Sequence, residues 1–186
     1  MLSLVKALKL AESLEETRAK KYKEYLKVVD FPAGKNALRF LAKAEEDHLK
    51  FLKKQSQRLD KGEQILFLKL HQPEIIFPLV EDSLKGSIGN LTSDIGIFKI
   101  VSDFERYDVK FYEYVYAQSE SPESKKLFKK MSRIEKTHLK IINKTIKLAE
   151  NSQKALMQSD SRILFYKMAR GKGGEKSNFK GFSLLF

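Results

Sequence analysis

Four residues recur at a fixed offset of 90: Glu15, Tyr22, Glu45 and His48 return as Glu105, Tyr112, Glu135 and His138. Leu49 and Lys50 return as Leu139 and Lys140. Each half therefore reads Glu, a Tyr seven residues on, and Glu-x-x-His beginning 30 residues after the first Glu. A repeat of this length marks a duplicated architecture. The chain has three histidines, and two of them sit in this pattern.

The repeated residues lie on helical stripes. Leu8, Ala11, Glu15, Ala19, Tyr22, Leu26 and Val29 follow a helical period, predicting a first helix over about 3–29. Asp30 to Gly34 breaks it. Leu38, Leu41, Glu45, His48 and Leu52 predict a second helix over about 35–59. Gly62, Pro73, Pro78, Gly86 and Gly89 exclude one long helix over 60–90, so that segment reads as a long crossover with the apolar pieces "ILFLKL" and "IIFPLV". A third helix is predicted over about 92–118. Ser121-Pro122 is an N-cap followed by proline at the first helical position of a fourth, which runs to about 150. Leu156, Met157, Ile163, Leu164 and Met168 predict a fifth, amphipathic helix over 153–169, followed by a basic, glycine-rich tail. Short turns within each half and a long connection between them describe an all-α, antiparallel four-helix bundle with one long crossover and an additional C-terminal helix. The expected organisation is a bundle domain over 1–150, with repeat halves at about 3–59 and 92–149, and a C-terminal helix and tail over 151–186.

The spacing sets the depth of the polar residues. Glu15 and Glu45 lie about equally far from the first turn, roughly 20 Å along antiparallel helices at ~1.5 Å per residue. Glu105 and Glu135 stand in the same relation to the second turn. Two hairpins packed face to face thus bring four glutamates and two histidines to one level. Burying a single unpaired carboxylate costs several kcal/mol, so four need compensation. Two divalent cations balance four carboxylates, and so does an oxide-bridged pair of trivalent ones. The i, i+3 step of Glu-x-x-His lets one helical turn offer a bridging carboxylate and a terminal imidazole, the arrangement of di-iron and di-manganese bundles. Oxygen and nitrogen donors without sulfur suit iron or manganese, and admit zinc.

Composition narrows the class. Cysteine is absent, which excludes disulfides, thiolate metal sites and a cysteine nucleophile. The N-terminal stretch is interrupted by Lys6 and Lys9 and no apolar run reaches the length of a membrane span, so the expectation is a cytoplasmic chain. A formal charge of +12 either attracts an acidic partner or reflects a lysine-rich surface. No basic run is interleaved with aromatics as in a nucleic-acid groove, so no nucleic-acid partner is expected.

The segments "EETRAKKYKEYL", "FLAKAEEDHLKFL", "FERYDVKFYEYV" and "SRIEKTHLKII" resemble the four helices of the rubrerythrin di-iron domain in the ferritin-like superfamily, over about residues 5–148. The resemblance implies two iron ions, or manganese or a mixed pair, held by Glu15, Glu45, His48, Glu105, Glu135 and His138. Glu45 and Glu135 would bridge, Glu15 and Glu105 would be terminal, and Tyr22 and Tyr112 would support ligand carboxylates as hydrogen-bond donors; ordinary core tyrosine is the alternative for both. It also makes Asp108, one turn after Glu105, a candidate additional ligand, although a salt bridge to Arg18, its repeat counterpart, is an equal alternative. His71 is not expected to be a ligand.

The implied activity is reduction of hydrogen peroxide or O2, with electrons from an acidic carrier such as a separate rubredoxin, because the Cys-x-x-Cys pairs of a fused rubredoxin module are missing. The alternatives are ferroxidation in a bacterioferritin-like assembly and a metal-binding structural protein without turnover. A homodimer is expected. For the C-terminal segment, packing on the bundle or on a neighbouring subunit is expected rather than membrane contact.

Overall fold

Two apolar clusters stacked along four helices, with a charged layer between them, define the architecture. The computed structural model describes residues 3–64 and 88–171. The helices are α1 (Leu4–Tyr25), α2 (Pro32–Asp60), α3 (Ile88–Gln118) and α4 (Pro122–Gly171). The expected long crossover, with both apolar pieces and His71, falls at 65–87, outside the described residues, as does the tail after Gly171. Among the described residues no helix is long and apolar enough to cross a membrane.

Local signals account for the helix ends. The Ser3 side chain accepts from the Lys6 amide and opens α1. Ser121 does the same for the Ser124 amide at 3.1 Å and opens α4. The helix α1 stops at Tyr25, short of the expected end near 29, and α2 starts at Pro32, earlier than expected. Proline serves as the first residue of α2, where its missing N–H is no loss and its fixed φ is already helical. Phe31 has no capping side chain, so Asp94 of α3 supplies the cap from outside. It accepts from the Phe31 amide at 2.7 Å and the Asp30 amide at 3.0 Å. This contact ties the start of α3 to the α1–α2 turn. At the other end of that hairpin, Ser56 of α2 donates to Glu12 of α1.

The expected fifth helix is not a separate element. Its described part continues α4 without interruption through Gly171. Asn151, Ser152 and Gln153 include no glycine or proline to end the helix, Ser152 is buried, and Gln153 bonds Thr92 of α3.

The upper cluster gathers Tyr22, Leu38, Leu41, Phe98, Val101 and Ile142 around the α1–α2 turn. The lower one gathers Leu8, Phe51, Leu52, Tyr112, Phe128 and Met131. Gly34 of α2 makes room for the upper cluster: a Cβ there would lie 2.0 Å from the Phe98 ring. Each cluster thus contains one of the repeated tyrosines, and the layer between them holds the repeated glutamates and histidines.

Candidate metal centre

Each helix contributes to the layer by its own spacing. Glu15 and Tyr22 of α1 lie two turns apart on one face, as do Glu105 and Tyr112 of α3. The i, i+3 steps of α2 and α4 put Glu45 beside His48 and Glu135 beside His138. All six ligand candidates are nearly inaccessible, from 0% exposure at Glu105 to 4% at His48.

Their atoms converge as two overlapping groups. Glu15, Glu45, His48 and Glu135 form one; Glu45, Glu105, Glu135 and His138 form the other. Within each, one ligand atom per residue lies within 4.8 Å of the rest. Glu45 and Glu135 belong to both, and their oxygens divide between the two sides. Glu45 Oε2 lies 2.9 Å from His48 Nδ1, while its Oε1 lies 3.1 Å from His138 Nδ1. Glu135 reverses the order, with Oε1 3.4 Å from His48 Nδ1 and Oε2 3.0 Å from His138 Nδ1. Glu15 Oε2 is 3.4 Å from His48, and Glu105 Oε2 is 3.6 Å from His138. The imidazoles stack at 5.3 Å with 12° between planes, and the Phe40 ring meets His138 edge-on.

The tyrosines hold the outer oxygens. Tyr22 donates to Glu105 Oε1 at 2.6 Å, and Tyr112 donates to Glu15 Oε1. Each bond crosses between α1 and α3, and each leaves Oε2 of the terminal glutamate facing inward. Burial, together with the charges of Glu105 for Tyr22 and of Glu15 for Tyr112, raises both phenols well above their usual pKa, so both stay neutral donors.

The residues fit a pair of cations. Glu45 Oε1, Glu105 Oε2 and Glu135 Oε1 are buried and accept no hydrogen bond, although His138 or His48 nitrogens lie at ion-pair distance from each. Buried orphan oxygens divided between the two sides of the layer are costly unless positive centres lie among them. Without metal, protons partly serve. Burial alone lowers the His48 and His138 pKa values, yet the adjoining glutamates, Glu45 for His48 and Glu135 for His138, raise both well above the usual one. Glu135 is raised to about 7 as the net of burial, which raises it most, the charge of Glu45, which adds to this, and the histidines, which pull it down.

Asp108 takes the second of the two arrangements open to it in the sequence. Arg18 donates from Nε to Asp108 Oδ2 at 2.7 Å and from Nη2 to Oδ1 at 2.9 Å. Asp108 joins neither converging group among the described residues. Its pKa is raised to about 8 as the net of burial, which raises it most, Arg18, which lowers it, and the charges of Glu105 and Glu135, which raise it. Its bidentate grip on a guanidinium whose own pKa is raised is nonetheless the geometry of a carboxylate.

All six residues singled out by the repeat converge, whereas Asp94 and Phe40 lie outside the repeated pattern. The signal for Asp94 was a capless Phe31-Pro32 helix start that needed an acceptor from elsewhere. Phe40 carried no distinguishing signal beyond apolar helical periodicity.

The rubrerythrin family model matches residues 6–85 and 103–170. The first block contains Glu15, Glu45 and His48, and the second Glu105, Glu135 and His138. Among solved structures, a hypothetical protein from Pyrococcus furiosus is similar, with a TM-score of 0.59 and 22% identity, over 80% of this chain and 91% of that one. That likeness bears on the fold alone. A comparison with curated proteins gives no match. All the repeated residues of both halves lie inside a family match that spans most of the sequence, and the chain belongs to the rubrerythrin family.

Proposed function

We propose that the protein reduces hydrogen peroxide to water at a carboxylate-bridged di-iron site, taking electrons from a separate carrier. The observation that carries the reading is the sharing of Glu45 and Glu135 between two ligand groups, each group completed by its own histidine and terminal glutamate. When bound there, two iron ions supply the two electrons that, with two protons, convert one peroxide to two waters. O2 is the second oxidant the reading admits.

The chain's own residues supply geometry and dryness. Glu45 and Glu135 each direct one oxygen to either side, which fixes the separation of the two subsites. Tyr22 and Tyr112 hold the terminal glutamates so that only Oε2 of each turns inward. The apolar clusters above and below exclude water from the layer. The chain has no cysteine, so it holds no rubredoxin-type electron relay. A formal charge of +12 favours docking of an acidic carrier. In this reading the protein works as a homodimer in the cytoplasm.

The test is anaerobic loading with ferrous iron followed by rapid mixing with peroxide. The expected result is oxidation of two ferrous ions per peroxide at a rate that outpaces free iron. Loaded protein inert to both peroxide and oxygen would remove the reading.

A further inference from the structure

The geometry points to Arg18 as the residue that withholds Asp108 from the metals, so that the centre keeps four carboxylates and two matched subsites. This rests on the di-metal reading of the cluster.

Asp108 has what a ligand needs except freedom. It lies one helical turn beyond Glu105, is 3% exposed, and is close enough to Glu105 and Glu135 for their charges to act on it. An unengaged carboxylate in that position would turn toward cations bound between those glutamates. Both of its oxygens are instead engaged by one guanidinium. Arg18 is itself held in place. It is 8% exposed, its guanidinium carbon sits 4.2 Å above the Phe104 ring, and the Tyr107 ring adds a second, more distant face at 5.9 Å. A planar fork fixed by two parallel bonds and an aromatic platform has little freedom to release its partner.

The pair also preserves the symmetry of the layer. Arg18 and Asp108 occupy equivalent positions in the two halves, each three residues after its terminal glutamate. Paired, they add no net charge, and each subsite keeps one terminal glutamate, one histidine and two shared carboxylates. Released, Asp108 would give the Glu105 subsite a fourth carboxylate, the fifth of the centre, that the Glu15 subsite lacks.

Cobalt(II) substitution reads donor number directly through its d–d absorption, without turnover. Wild type, Arg18→Met and the double variant Arg18→Met/Asp108→Leu are titrated with cobalt(II), and bound metal is counted at saturation. Two cobalt ions per chain and superimposable spectra are expected for wild type and the double variant. In Arg18→Met, one cobalt of the two gains a donor, and its share of the band intensity is lost. Identical spectra for Arg18→Met and the double variant would overturn the inference while leaving the di-metal reading intact. A spectrum of the double variant that differs from wild type would overturn it as well, because Asp108 would then be a ligand already; this comparison stands even if Arg18→Met does not fold. Failure of the wild type to bind cobalt would overturn both readings.

Discussion

The Tyr112 hydroxyl of α3 donates to the Glu15 carboxylate of α1, and Tyr22 returns the same bond to Glu105. Each half of the duplication therefore orients the terminal glutamate of the other. Replacing either tyrosine with phenylalanine should preserve the ring in its apolar cluster and free the outer oxygen of one glutamate. The expected loss is about 10–100-fold in affinity for one of two manganese(II) ions, read by calorimetric titration. Equal affinities in wild type and both variants would reduce the tyrosines to core packing.

The pH dependence of the metal-free protein should run opposite to that of an ordinary acidic surface. Glu135 rises from 4.5 to about 7 on folding, and both histidines rise as well. Groups raised on folding bind protons more tightly in the native state. Their contribution is complete below the unfolded pKa and is lost as pH climbs through the folded one. The Tm of metal-free protein should accordingly fall as pH is raised from about 5 to about 8. Saturating manganese(II) should reverse the slope, because the ligands must be deprotonated to bind. Parallel slopes with and without metal would contradict the assignment.

Glu135→Gln separates stability from binding. The amide keeps the shape of the side chain and removes a buried charge that the metal-free fold tolerates poorly. At pH 8, metal-free Glu135→Gln should melt a few degrees above metal-free wild type. The rise in Tm that wild type shows on adding metal should be largely absent. Differential scanning calorimetry with and without manganese(II) measures both effects.

Gly34→Ala places a methyl 2.0 Å from the Phe98 ring, which is fully buried and must shift to admit it. Alanine gains about 1 kcal/mol in helix propensity, while overpacking costs about 1–3 kcal/mol. Net destabilisation is expected in urea titrations. Stabilisation would mean that the upper cluster repacks freely.

The architecture was largely legible because the repeat and the helical period are local properties of the sequence. Glu15, Glu45, His48 and their counterparts declared themselves by being charged on otherwise apolar stripes. The helix boundaries were less legible. The Asp30–Gly34 stretch reads as a break, yet Pro32 is a helix start and Gly34 is a close-packing position inside α2, a requirement set by Phe98 about sixty residues away. The fourth helix runs past the expected end near 150 because no glycine or proline at 151–153 ends it. The choice between a metal and Arg18 for Asp108 depends on how two helices face each other, which spacing within one helix does not contain.

At two matching contacts the two halves carry opposite signs. Arg18 corresponds to Asp108, and the pair meets across the bundle. The surface bridge Lys23–Glu46 of the first hairpin becomes Glu113–Lys136 in the second. A bundle assembled from two copies of the first hairpin would press one buried arginine against another, and two copies of the second would press aspartate against aspartate. After duplication, each hairpin has thus become a poor partner for its own twin and a good one for its sibling.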